Sequence, residues 1–336
     1  MFPANGNATG SGALRLIAVA GVFLFVLMFV FAFGLRQIAT RDSDQRVTAA
    51  ASGNFNGARA YESLKKIVAV GPRPPGSREA EQTRTIIRTE LEAAGLEVMA
   101  LPFEAETPYG KKTMVNMVGV VKGDTHGIIA LSNHYDTKYL PEIRFVGAND
   151  GGSTTAWMLE MARALGPSRK GRTIWLIWFD GEEAFKEWTD SDSLYGSREF
   201  VRYLRREKLL DSLHTLINVD MIGDCYLGVF RDAGAPSWLQ NAIWKKAAEL
   251  GYDKHFTARS TVIQDDHTPF RFAGVQCINL IDYEYGGSPL EHSNTWHTEN
   301  DNIDRVCPDS LQAVGDVIYH ALPVIESSLD AQARRE

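Results

Sequence analysis

The run Thr173-Ile174-Trp175-Leu176-Ile177-Trp178-Phe179 limits what this chain can become more than any other stretch. It shows no polar–apolar alternation, so it predicts a strand buried on both faces, as in a parallel sheet covered by helices. The run ends in Asp180-Gly181-Glu182-Glu183. Two adjacent carboxylates therefore emerge at a strand's carboxyl end, where open α/β sheets bind ligands. Such a pair can divide labour, one group holding a metal and the other moving protons.

The flanking sequence supplies the partners such a strand needs. Residues 57–70 predict a helix with Ala60, Leu64, Ile67 and Val68 on one stripe, and Ser77 caps a second helix running to Leu96. Strand-like runs follow at 97–105, 112–121 and 127–133, the last leading into His134-Tyr135-Asp136. On an extended chain His134 and Asp136 share a face. Residues 147–152 form a turn into a helix over 153–165, which puts Asp150 at a helix N-terminus, where its plainest role is capping. Beyond the central run, a helix to Arg206 precedes a strand over 214–222 carrying Asp220. A helix over 236–250, an extended segment over 262–267, a strand over 275–281 and a closing helix over 310–327 complete the pattern. The alternation predicts an α/β fold: one three-layer domain over 57–330 whose mixed, mostly parallel central sheet is flanked by helices.

Residues 16–35 are uncharged and strongly apolar. That length matches the roughly 20 residues that span a bilayer and exceeds a secretory core segment. Residues 1–15 read as a short tail, 16–35 as a transmembrane anchor and 36–56 as a linker. Arg15 precedes the run, whereas Arg36, Arg41 and Arg46 follow it, so a charge count alone puts the domain in the cytoplasm. A net charge of −7, a pI near 5.7 and the lack of a basic stripe give no case for nucleic acid as a partner. Cys225, Cys277 and Cys307 are odd in number and show no metal-like spacing. They allow one bridge, but their plainer reading is scattered, partly buried thiols.

His134, Asp150, Glu182, Glu183, Asp220, Asp265 and His297 all fall just past expected strand ends. Each alone has an ordinary explanation, but strand ends of one open sheet converge on one rim. Asp, Glu and His together suit zinc. No phosphate-binding glycine loop or GxSxG elbow competes for the rim. Asp136 is placed to orient His134 or a ligand.

These motifs, with Asp150-Gly151-Gly152, Val219-Asp220-Met221-Ile222-Gly223 and Trp296-His297-Thr298, resemble the zinc aminopeptidase superfamily with the bacterial leucyl aminopeptidase fold. Four stretches resemble, more narrowly, the animal-type glutaminyl-peptide cyclotransferases: 179–185 with Trp188, 192–197, 262–270 and 296–298. The resemblance implies that Asp150, Glu183 and His297 ligate a single zinc. It also implies that Glu182 is the general acid/base, that Asp220 and Asp265 support it, and that Trp188, Gln264 and Trp296 line the substrate pocket. The implied reaction cyclises an N-terminal glutaminyl residue of a peptide or protein to pyroglutamate and releases ammonia. Whether N-terminal Glu is also used stays open. Because such cyclases act in secretory or periplasm-like compartments, the resemblance places the domain on the non-cytoplasmic side of a single-pass anchor. The alternative is a di-zinc aminopeptidase, with His134 and Asp220 on a second zinc and Asp150 bridging the two. The ligand inventory serves both readings, and only the cyclase-like flanks favour cyclisation. Asn133 and Thr155 stand where these cyclases carry a pair of cysteines, so that bridge is absent.

Overall fold

The computed structural model describes residues 54–286 and 295–335. The tail 1–15, the expected anchor 16–35 and most of the linker lie outside the described residues. Among the described residues, no helix is long and apolar enough to cross a membrane.

The chain runs α1 (Gly57–Val70), α2 (Arg78–Ala93), β1 (Glu97–Thr107), β2 (Gly110–Val121), β3 (Thr125–His134), α3 (Thr154–Leu165) and β4 (Arg172–Phe179). It continues through α4 (Tyr195–Arg206), β5 (Leu213–Asp220), β6 (Val229–Asp232), α5 (Ser237–Glu249), β7 (Phe256–Thr261), α6 (His267–Phe272), β8 (Cys277–Ile281) and α7 (Pro308–Ala333). Asn56 and Ser77 cap α1 and α2 through their side chains. Six strands form one sheet in the order β1-β2-β4-β3-β5-β8. The inner and far strands β4, β3, β5 and β8 are parallel, and β1 and β2 add an antiparallel edge.

β4 shows why its sequence lacks alternation. Ile174, Leu176 and Trp178 enter one core with residues of α1, α2, α3, α5 and α7. Trp175, Ile177 and Phe179 enter a second core with Phe200 of α4 and Phe270 of α6. Successive side chains of a strand point to opposite faces, and here both faces are covered. The expected three-layer arrangement follows.

Several elements differ from expectation. β5 stops at Asp220 because Met221 turns into the left-handed region at φ 49°. The extended segment expected over 262–267 is irregular, and the regular strand beside it is β7. β7 pairs with β6 in a separate two-stranded parallel sheet, and most of its side chains are exposed or half-buried, so its sequence carries little apolar signal. α7 runs on to Ala333 through Pro323. Of the two cysteine readings the less plain one holds: Cys225 and Cys307 form a disulfide across 82 residues, while Cys277 is a buried thiol. An isolated bridge between Asp224 and Val306 brings the two segments side by side, a contact that spacing in the sequence does not reveal.

Arg73 is a fully buried cation. It donates to the carbonyls of Tyr135 (2.7 Å), Val146 (2.5 Å) and Gly147 (2.9 Å), tying the end of β3 to the turn that carries Asp150. Burial lowers its pKa to about 10 against the opposing pull of Asp136, Asp301 and Asp150. Arg73→Met removes the donor from the Tyr135 and Val146 carbonyls, leaves Gly147 only the Gly152 N–H, and should cost about 3 kcal/mol. Urea unfolding measures this, and a loss below about 1 kcal/mol would show the three bonds to be dispensable.

Candidate active site

The parallel strands deliver the ionisable residues to one edge. His134 ends β3, Asp220 ends β5, and Glu182 and Glu183 follow β4. Asp150 lies in a kinked turn, Ala148–Ser153, whose backbone is extended at Asp150 (ψ 104°), and it makes no capping bond to α3. Its side chain is instead shared between two histidines, so the capping alternative does not hold. His134 Nε2 lies 3.2 Å from Asp150 Oδ1 and 3.3 Å from Asp220 Oδ1. His297 Nε2 lies 3.3 Å from Asp150 Oδ2 and 2.8 Å from Glu183 Oε1. In each of these two groups, His134/Asp150/Asp220 and Asp150/Glu183/His297, the ligand atoms all lie within 4.8 Å of one another.

The turn that presents Asp150 requires glycine. Gly151 has φ +74°, and a Cβ there would stand 2.9 Å from His134 Cε1 and 2.8 Å from the Asp136 carbonyl. Asp301 braces the same turn, accepting from the backbone N–H groups of Asn149 (2.7 Å) and Asp150 (3.1 Å) and from the Tyr285 hydroxyl (3.0 Å). Asp136 was expected to orient His134. Its Oδ1 lies 3.5 Å from His134 Nδ1, and its carboxylate also accepts the N–H groups of Glu182 (3.2 Å) and Glu183 (3.3 Å). One buried carboxylate thus sets both glutamates.

His297 is held in the left-handed region at φ 57°, which is uncommon for a residue with a side chain. Its ring stacks on Trp296 at a centroid distance of 4.2 Å and meets the edge of Phe145 at 5.6 Å. Lys138 Nζ lies 3.5 Å from Glu183 Oε2 and donates to the Ala184 carbonyl at 2.9 Å. Sequence reasoning missed Asp301, Lys138, Arg73 and Tyr285, because each acts through a contact between distant loops and carries no local pattern.

A cavity of about 470 Å³ opens over this edge. Asp150, Glu182, Glu183, Asp220, Asp265 and His297 line it, together with Trp188, Gln264 and Trp296. His134 and Asp136 do not reach the cavity wall and lie buried behind it. Trp188 Nε1 donates to Gln264 Oε1 at 3.1 Å, and Trp188 and Trp296 stand half open to solvent at the rim.

Burial pushes the Glu182 carboxyl well above the usual range; His134 opposes this, and Glu183, Asp265 and Asp266 add to it. Burial likewise raises Asp220 and Asp265. For Asp150 burial also acts upward, but bonds from His134 and His297 outweigh it and hold the group ionised. Burial lowers His297, yet Glu183 and Asp150 more than reverse this and lift it to about 10. A divalent cation would displace those imidazole protons. The donor set, imidazole nitrogen with carboxylate oxygens all within 4.8 Å of one another in each group, fits a transition-metal ion.

Asn133 and Thr155 are in contact even without sulfur. Asn133 Nδ2 donates to Thr155 Oγ1 at 3.1 Å and to Thr154 Oγ1 at 3.2 Å.

A mixed sheet with two histidine–carboxylate clusters sharing one aspartate at its carboxyl edge defines an α/β metalloenzyme. The sequence pattern of peptidase family M28 matches residues 116–322. The glutaminyl-peptide cyclotransferase of Bos taurus is 32% identical over 280 residues, covering 72% of this chain and 75% of the bovine protein. Among solved structures, a glutaminyl cyclase from an Acidobacteriales bacterium superposes with a TM-score of 0.77 at 34% identity, covering 84% of this chain and 98% of that one. A leucine aminopeptidase precursor from Bacteroides thetaiotaomicron superposes with a TM-score of 0.69 at 26% identity, covering 81% and 97%. The chain belongs to peptidase family M28 and to the glutaminyl-peptide cyclotransferase family.

Proposed function

We propose that this chain is a zinc-dependent glutaminyl-peptide cyclotransferase, converting the N-terminal glutaminyl residue of peptides or proteins to pyroglutamate with release of ammonia. The observation that carries the reading is the cavity, where Glu182 and Asp265 share a wall with the Asp150/Glu183/His297 group under a rim of Trp188, Gln264 and Trp296. Asp150, Glu183 and His297 would hold a single zinc. When bound, it supplies Lewis-acid polarisation of the γ-carbonyl. Glu182 takes a proton from the substrate's α-amine and returns one to the departing amide nitrogen, a double duty suited to a raised pKa. Asp220 and Asp265 line the same wall and support Glu182. The rim tryptophans hold the glutaminyl side chain folded on its own amine, chiefly a proximity effect, and keep competing water out.

One observation favours the second reading, a di-zinc aminopeptidase: His134, Asp150 and Asp220 also form a metal-competent group. Incubating the purified chain with a Gln-initiated peptide decides between them. Cyclisation leaves the peptide intact but lighter by one ammonia, with a single zinc per active chain by metal analysis. Release of the free N-terminal amino acid with two zinc ions per chain would establish the peptidase instead.

We further propose that residues 16–35 anchor the chain and that the catalytic domain lies on the non-cytoplasmic side. The apolar run supports an anchor, and the Cys225–Cys307 bond suits an oxidising compartment. A reporter fused after Arg36 should be active outside the cytoplasm; activity confined to the cytoplasm overturns the topology.

A further inference from the structure

A line of hydrogen-bonded polar side chains crosses the interior of the sheet and ends at the cavity. Ser132 of β3 is paired in register with Asn218 of β5, and Asn218 with Asn279 of β8. Their exposures are 0%, 1% and 3%. Ser132 Oγ donates to Asn218 Oδ1 at 2.8 Å, Asn218 Nδ2 donates to Asn279 Oδ1 at 3.1 Å, and Asn279 Nδ2 donates to Asp265 Oδ2 at 2.8 Å. On the face they share, Ala130 of β3, Leu216 of β5 and Cys277 of β8 are buried core residues. Placing two carboxamides among them costs free energy unless every polar group is matched, so packing alone does not account for the line.

The last member fixes its direction. Both Asp265 oxygens accept here, so Asn279 turns its amide nitrogen to Asp265 and its carbonyl to Asn218. Asn218 must then donate forward and accept from Ser132. Each amide dipole points the same way, with its positive end toward the cavity. The backbone N–H of Asn279 is itself held by Asp232 Oδ2 at 3.1 Å. Asp265 receives its second bond at Oδ1 from the N–H of Asp266. Both oxygens are thereby pinned, and the carboxylate is fixed in the wall it shares with Glu182.

We propose that Asn279 is a positioning residue for the reaction, holding Asp265 in one orientation beside Glu182 through a polar rung that spans β3, β5 and β8. The proposal rests on reading Glu182 as the proton-moving group. Asn279→Ala should lower kcat about 10-fold and leave KM within about twofold. Asn279→Asp, which sets carboxylate against carboxylate, should lower kcat about 100-fold. Asp265→Ala should make Asn279→Ala nearly silent, adding less than about twofold, because no carboxylate is left to orient. A merely structural Asn279 gives losses that multiply, and multiplication overturns the proposal. So does wild-type kcat in Asn279→Ala. Should circular dichroism show Asn279→Ala unfolded, Asn218→Ala carries the test. It keeps the bond to Asp265 but removes its support and should lower kcat about threefold at unchanged KM; no change overturns the proposal. The ratios are taken on whichever peptide reaction the wild-type chain performs. Hydrolysis in place of cyclisation therefore overturns the cyclase reading while the ratios still test Asn279.

Discussion

Glu182→Gln should reduce turnover by about a thousandfold while the protein keeps its metal. The substitution preserves shape and removes only the ability to take and return a proton. Glu182 belongs to neither of the two metal-competent groups, so metal content should match the wild type. Its pKa gives the reaction a directional pH dependence. Burial, then the nearby carboxylates, hold the Glu182 proton above the ordinary carboxylate range against the pull of His134. Turnover should therefore climb with pH as that proton is lost, and this limb should vanish from the residual activity of the Gln variant. A variant keeping more than about a tenth of wild-type turnover would remove Glu182 from the proton-transfer role.

Asp150→Ala should weaken metal binding by more than about 100-fold and abolish turnover with it. Asp150 gives one oxygen to the His134 side and the other to the His297 side, so no stoichiometry survives its loss. The variant should fold, because Asp301 takes the backbone N–H of residue 150 and not its side chain. Metal analysis after dialysis, paired with a thermal melt, separates loss of the ion from loss of the fold. Full metal content in the variant would falsify the shared-ligand assignment.

What the sequence revealed and what it hid divide along the range of the interactions. β4 was legible because burial on both faces removes the alternation from the strand itself. His134, Glu182, Glu183 and Asp220 were legible because parallel strands all end on the same rim, so position after a strand is already a spatial coordinate. Asp150 shows the limit of local reading. A carboxylate before a helix is ordinarily a cap, but here two imidazoles brought from far along the chain outcompete the helix for its oxygens. The Cys225–Cys307 bond, the β6–β7 pair and the bracing by Asp301 depend on loop meeting loop, and no periodicity records such meetings. The Asn133–Thr155 hydrogen bond is of the same kind: the residues are unremarkable apart, and only the fold makes them neighbours.

The Cys225–Cys307 bond encloses Gln264, Asp265, Trp296 and His297 in a single covalent ring. The entropy of closing such a ring grows only slowly with its length. The ring also includes Tyr283, which lines the cavity with those residues. Reduction of the bond frees both ends of the segment that carries this part of the cavity lining, while β3, β4 and β5 lie outside the ring and keep their places in the sheet.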